Sequence, residues 1–384
     1  MLRFLRRALL WITGILLMLT IATLCVMRFI LLPNYDGEHN RVLNPAPYVV
    51  PDSVRVFHDN SFVADLHADP LLWGRDLSTR YQRGHIDLPR LREGGVDLQV
   101  FGAVTSFPTQ IKLGGKAYKI DALSLLFLGA WRSPESWFSP KARALVQAQD
   151  IRSLEESGEI SLVKSRSDLN RPGLKGLLAI EGLHALEGDI EVIDELHAAG
   201  YRMMGFAHLF DNDVSGSSFG RTRYGLTPLG RRLIPRMEQL GITIDFAHTS
   251  SNAFNEAMAI VTKPVVVSHG GVARTCPGPR NLSDAQLRAV AKNGGVVGIG
   301  YWKVAICDPG LDGIVRAIRH AVNVAGVDHV GLGSDFDGTV AVPFDTTGVP
   351  LVTGALLDAG FSETEVRKIL GENVRRVLSA NLPQ

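Results

Sequence analysis

A chain of 384 residues with 46% hydrophobic content can bury a large core and still fold as one big domain of the barrel type, which excludes a disordered chain. Lys plus Arg (40) nearly equals Asp plus Glu (39), so no overall field collects nucleic acid, and a small-molecule substrate is expected. Three cysteines, Cys25, Cys276 and Cys307, match neither a zinc-ribbon spacing nor a disulfide framework, and a single Cys276–Cys307 bridge is left open.

The chain begins MLRFLRRALLWITGILLMLTIATLCVMR, where Arg3, Arg6 and Arg7 precede an uncharged run from Ala8 to Met27. That run matches the ~20 residues a helix needs to cross a bilayer, and the arginines hold its start on the cytoplasmic side. Residues 1–28 therefore read as a cytoplasmic stub and transmembrane signal anchor, with the rest of the chain extracytoplasmic, either periplasmic or extracellular. A cleaved signal peptide is the competing reading, against which the run is long and no A-x-A site follows it. Cys25 is not placed for lipidation, because Leu24 stands where a lipobox takes a small residue. Residues 29–54, which contain prolines and asparagines, are expected as a tether, and residues 55–384 as the folded domain.

Eight short apolar runs follow: SFVADLH, VDLQVFGA, GLLAIEG, YRMMGFAH, ITIDFAH, PVVVSH, GGVVGIG and HVGLGSDF. Runs this continuous, rich in Val, Ile and Leu and bounded by Gly or Pro, are what strands covered on both faces look like. They predict an α/β fold, a (β/α)8 TIM-type barrel with helical crossovers and an N-terminal transmembrane helix. Ser283 with Gln286, and Ser362 with Glu365, carry the capping-box pattern at predicted helix starts, and Gly294 or Gly295 is placed to end the first of these helices. The long segment between the second and third runs has room for extra helices beside the barrel mouth, so no second domain is needed.

Polar residues stand where the runs end: His67 and Asp69, Glu181, His208, His248, His269 and Asp335. In a parallel barrel those ends share the C-terminal face, where active sites are built. One histidine after a strand is more often a rim or core residue than a ligand; the convergence of seven polar residues reverses that expectation. Imidazole and carboxylate together are the usual ligand set for zinc and similar divalent ions. Five ligands, His67, Asp69, Glu181, His248 and His269, are too many for one open catalytic zinc and suit two ions sharing one carboxylate. His67 and Asp69 are assigned to one ion, His248 and His269 to the other, and Glu181 to both. Two such ions ~3.5–4 Å apart share a hydroxide that can attack a carbonyl or phosphoryl centre.

In these residues the chain resembles the membrane (renal-type) dipeptidases, peptidase family M19 of the amidohydrolase superfamily. The resemblance is carried by DLHADP, HIDLPRLREGGVDLQVF, AIEGLH, IDFAHTS, VVVSHGGVARTCPGPRN and HVGLGSDFDG, in that family's order. It implies two Zn2+ per chain, with Mn2+ or Co2+ as substitutes, held by the same five ligands. It also implies that His208 contacts the substrate carbonyl, Arg280 the substrate carboxylate, and Asp335 handles the proton. These roles meet physical requirements. A guanidinium fork suits a terminal carboxylate, an oxyanion needs a donor outside the metal pair, and the leaving amine needs a proton. Asp337 is the weaker candidate for proton transfer, His184 reads as a loop residue near the ligands, and His85 as structural. A homodimer is implied only by analogy. The mammalian members end in a lipid-anchor signal, whereas VRRVLSANLPQ is too polar for one, so anchoring is expected at the N-terminus.

The expected function is zinc-dependent hydrolysis of dipeptides to free amino acids, with Glu181, His208 and Asp335 as the catalytic groups. Another amide or β-lactam hydrolase of the superfamily is the alternative within this class. A membrane-tethered metal-binding protein without turnover is the alternative outside it. A phosphotriesterase-like site would want a bridging lysine on the fourth strand, and YRMMGFAH has none.

Overall fold

The computed structural model describes the backbone of residues 2–113 and 116–384, with the side chains of all of these except Leu2 and residues 110–119. Eleven strands occur among them: β1 Ala64–Ala68, β2 Leu98–Val104, β3 Pro108–Leu113, β4 Lys116–Asp121, β5 Ser161–Leu162, β6 Lys175–Glu181, β7 Tyr201–Gly205, β8 Thr243–Asp245, β9 Val266–Val267, β10 Val296–Ile299 and β11 Val330–Leu332. Eight of them, β1, β2 and β6 to β11, correspond to the eight apolar runs. All pair in parallel, and the sheet closes through the β1–β11 and β2–β6 ladders. The short β5 adds to β6 outside the ring. Because both faces of each barrel strand are covered, the residues of β1, β2, β6 and β7 are buried along their whole length, with no exposed face.

Alternate residues of the strands, including Leu66, Leu98, Val100, Leu177, Ala179 and Met203, form one apolar cluster with Val374, Val377 and Leu378 of the C-terminal helix Asn373–Asn381. Gly371, just before that helix, packs against Phe62 and Ala64 where β1 starts. The N-terminal end of the barrel is thus plugged with hydrocarbon. The histidine and carboxylate cluster occupies the opposite end.

The surrounding helices follow the expected local chemistry. Helix Leu311–Ala325 buries Ile314, Ala317, Ile318 and Ala321, the i, i+3, i+4, i+7 stripe of a helix lying on a sheet. The Ser283/Gln286 and Ser362/Glu365 capping boxes both form, and the helix Asp284–Asn293 stops at Gly294 in the left-handed conformation, φ 85°. Between β2 and β6 lie the expected extra helices, Ala122–Gly129 and Pro140–Glu156, and also an antiparallel hairpin of β3 and β4. A Cys276–Cys307 disulfide joins the loops after β9 and β10.

At the N-terminus, α1 (Leu2–Val26) passes through a π-helical turn into α2 (Leu32–His39), so one helix runs from Arg3 to His39. Residues 29–54, expected as tether, are partly helical and partly docked. Asp36 is buried against Arg75 and Arg83, at 3.4 and 2.9 Å, and Val42 forms a parallel bridge to Val342.

Candidate metal and catalytic centre

The strand ends bring the seven predicted residues into one cluster at the C-terminal face. β1 ends by carrying His67 and Asp69 upward, and backbone bonds fix this end to the last βα loop: Asp335 N donates to His67 O (3.1 Å), and Asp69 N to Phe336 O (2.8 Å). Asp335 and His248 both take positive φ, 61° and 60°, a conformation that Asp and His tolerate better than most side chains and that strained functional loops often hold. The β2 neighbour of this corner is Gly102. A Cβ there would lie 2.3 Å from Asp69 Oδ1 and 2.8 Å from His67 Cε1, so only glycine leaves room for the two side chains.

Glu181, the last residue of β6, is central. Its Oε1 lies 2.8 Å from His248 Nε2, 3.3 Å from His269 Nε2 and 3.7 Å from His67 Nε2, and its Oε2 lies 3.4 Å from His208 Nε2. His67 Nε2 is also 3.3 Å from Asp69 Oδ2, and the His248 and His269 Nε2 atoms are 3.0 Å apart. Three metal-capable groups emerge: His67, Asp69 and Glu181; Glu181, His208 and His248; His67, His269 and Asp335. His208 and Asp335 therefore stand within ligand range along with the five expected ligands.

Charge balance tests whether cations fit. Asp69, Glu181 and Asp335 are buried together, and Asp69 Oδ1 and Glu181 Oε2 have no hydrogen-bond donor. Burial raises Glu181 well above the carboxylate range, and Asp69 adds to it. Burial, opposed by His67 and reinforced by Asp69, pushes Asp335 up to about 8. Burial alone would lower His67, but the Asp69 and Glu181 carboxylates overcome it and lift it to about 10. These carboxylates call for positive charge at their centre. His208, His248 and His269 are held well below their ordinary value by burial, so they present neutral nitrogens. Neutral imidazoles facing uncompensated carboxylates are the donor set that divalent ions take.

Supporting contacts that the apolar runs did not reveal orient the ligands. Ser268 Oγ donates to Asp245 Oδ2 (2.6 Å) and lies 2.9 Å from His269 Nδ1, which fixes that ring with Nε2 toward the cluster. Ser334 donates in the same way to Asp65, at the start of the loop that presents Asp335. Both carboxylates sit inside predicted strands, where the single break in an apolar run was the available signal. Asp337 lies apart from the cluster, bonded to Arg75 and to the His85 backbone, and His85 Nδ1 accepts from Asp337 N (2.9 Å). His184 is half-buried nearby, with both ring nitrogens enclosed and neither bonded.

Arg280 is buried beside the cluster, with Nη2 donating to His269 O (2.8 Å) and Nε unpartnered. Its loop is stapled by Asn281, whose Nδ2 donates to the carbonyls of Cys276, Val304 and Ala305. A cavity of about 800 Å³ opens over Asp69, Glu181, His208, His248, Arg280 and Asp335.

Comparison with known proteins agrees with this geometry. Residues 52–382 match the family described as membrane dipeptidase, peptidase family M19. A Schizosaccharomyces pombe protein described as an uncharacterized dipeptidase is 28% identical over 316 residues, covering 79% of this chain and 74% of its own. A Klebsiella pneumoniae protein encoded in the pqqA 5' region is 35% identical over 242 residues, 58% of this chain and 89% of its own. Among solved structures, the dipeptidase AC, a family M19 metallopeptidase, superposes with a TM-score of 0.69 at 25% identity, covering 84% of this chain and 99% of its own. The Pseudomonas aeruginosa protein PvdM shares the fold, with a TM-score of 0.74 at 20% identity over 85% of this chain and 97% of its own. With barrel, convergent ligands and family match in agreement, the chain belongs to the membrane dipeptidase family, peptidase family M19, and is a metallo-dipeptidase.

Proposed function

We propose that the protein hydrolyses dipeptides to free amino acids at a binuclear zinc centre in which His67 and Asp69 hold one ion, His248 and His269 the other, and Glu181 both. The observation carrying this reading is the position of Glu181, whose Oε1 lies within 3.7 Å of three imidazole nitrogens, from β1 and from the segments just after β8 and β9. When bound, the ions would supply a nucleophilic hydroxide at neutral pH and polarise the scissile carbonyl. The rest falls to the protein. Arg280, buried and with Nε free of partners, pairs with the substrate carboxylate and so sets one residue between anchor and scissile bond. His208 donates to the oxyanion that forms on the carbonyl. Asp335 takes the proton of the attacking water and returns it to the leaving nitrogen.

The helix through residues 8–27 anchors this domain on the outer side of a membrane. The Cys276–Cys307 disulfide supports that side, since disulfides persist in oxidising compartments. Metal analysis of the purified protein tests the centre. About two divalent ions per chain are expected, and Glu181→Gln should lose metal and turnover together. Full activity with one ion, or a Glu181→Gln protein with both ions and normal turnover, would overturn the shared-carboxylate assignment.

A further inference from the structure

The catalytic cavity is larger than a dipeptide needs. At about 800 Å³ it lies in the upper part of the range for sites that enclose drug-sized ligands. It runs from the ligand cluster past Leu72, Trp73, Val104, Leu123 and Leu126 to a far wall made by Met27, Leu32, Tyr35 and His39. That far wall is the upper end of the N-terminal helix. The helix is held there by specific contacts: Arg28 Nη2 donates to Gly74 O (3.0 Å), and Asp36 is clasped by Arg75 and Arg83. Asn40 Oδ1 accepts from the backbone of Thr339, in the loop that carries Asp335. The membrane anchor is thus also a side of the active site.

The lining chemistry is lopsided. Among the described residues, the only carboxylates facing the cavity are Asp69, Glu181 and Asp335, all within the ligand cluster. None remains along the apolar stretch to pair with an ammonium group. With a carboxylate seated on buried Arg280 and the scissile carbonyl at the cluster, the acyl side of the amide is left to occupy that stretch. An uncharged hydrocarbon chain satisfies those walls. Access is on the same side, because Phe29, Ile30 and Leu31, next to the far wall, are exposed apolar residues just beyond the uncharged run of a helix long enough to cross a bilayer.

We infer that the protein also hydrolyses N-acyl amino acids, with the acyl chain lying between the helix Ala122–Gly129 and the Met27–His39 end of the anchor helix and arriving from the membrane surface. The inference rests on the amide-hydrolase reading of the same cluster. Water adds to the acyl carbon, the C–N bond breaks, and the water's proton passes to the departing nitrogen, leaving a fatty carboxylate and an amino acid.

The test uses the full-length, metal-loaded protein in detergent, with alanyl-alanine and a series of N-acyl-alanines from two to ten carbons kept below their micelle concentrations. Each methylene that enters the cavity should raise kcat/KM by up to about fourfold, until the chain fills the available length. If the dipeptide is cleaved while the acyl series is flat or falls with length, the inference is overturned and the dipeptidase reading stands. If neither substrate is cleaved, both fail. A second readout needs no turnover: N-decanoyl-alanine with a terminal diazirine, photolysed on metal-stripped protein, should label peptides containing Met27–His39 or Ala122–Gly129. Labelling confined to other parts of the chain would overturn the placement of the acyl group.

Discussion

At the scale of single residues, one tightly constrained position in the centre is a glycine that carries no chemistry. Gly102 faces Asp69 and His67 across the β1–β2 ladder, and an added methyl would stand 2.3 Å from Asp69 Oδ1. Gly102→Ala should therefore push the ligand pair out of position while the barrel still folds. Displacing groups that orient metal ligands typically costs about 10–100-fold in affinity, so competition with a graded chelator should show a loss of that size. An unchanged affinity would mean that the strands shift to absorb the methyl. Arg280 invites a different experiment, since its assigned partner is on the substrate. Removing one member of a desolvated charge pair costs roughly 2–5 kcal/mol, so Arg280→Ala should lower the dipeptide kcat/KM about thirty-fold to several-thousand-fold with metal content intact. An amidated dipeptide should lose a similar factor with the native protein, and little more with the variant. Losses that simply multiply would remove Arg280 from carboxylate binding.

At the scale of elements, the barrel strands and the convergence of the polar residues at their ends were legible because two simple regularities coincide. Strands buried on both faces need unbroken apolar runs, and a parallel barrel places everything polar at their C-terminal ends. The parts that escaped reading depend on partners distant in the chain. Nothing local in residues 29–54 says that Asp36 will meet Arg75 and Arg83, so a docked α2 looks like a tether. Likewise Ser268 becomes an orienting group only once Asp245 stands beside it. The segment that closes on α2 also holds a titrating group with a predictable effect. His85 is fully buried among Arg75, Arg90, Asp36 and Asp337; burial, with Arg75 and Arg90 adding, lowers it to about 3 against the partial opposition of the Arg41 backbone and Asp36. The unfolded chain takes up this proton first, near pH 6.5, so the contribution is complete above that pH and is lost as pH falls toward 3. Between pH 7 and pH 5 the loss from this one site should be about 2 kcal/mol. Denaturant unfolding of His85→Gln, in which the amide oxygen can still accept from Asp337 N, should show a correspondingly smaller drop over that interval. An identical drop in both proteins would place the acid sensitivity elsewhere.

At the scale of the whole molecule, the N-terminal helix, the disulfide and the active site bear together on the proposed membrane anchoring and on the side the domain would occupy. One helix from Arg3 to His39 is ~55 Å long, against ~30 Å of bilayer hydrocarbon, and the surplus is the part that packs on the domain. Arg3, Arg6 and Arg7 sit at the end away from the barrel, so under the proposed anchoring the positive-inside tendency would put the barrel outside. The Cys276–Cys307 bridge closes a loop across a sequence separation of 31, for which chain-entropy reasoning gives roughly 3–4 kcal/mol, and it lies in the loops that hold Arg280. A domain left in a reducing cytoplasm would forgo that stabilisation. Protease added to intact spheroplasts should therefore digest the domain, and the domain should sediment with membranes beforehand. Denatured protein recovered with its thiols trapped should show Cys25 alkylated, with Cys276 and Cys307 protected until reduction. If the domain is protease-protected, if it is released as a soluble form cleaved after the apolar run, or if all three thiols are free, the anchored extracytoplasmic arrangement is wrong, and the far wall of the cavity must be built by something other than a membrane helix.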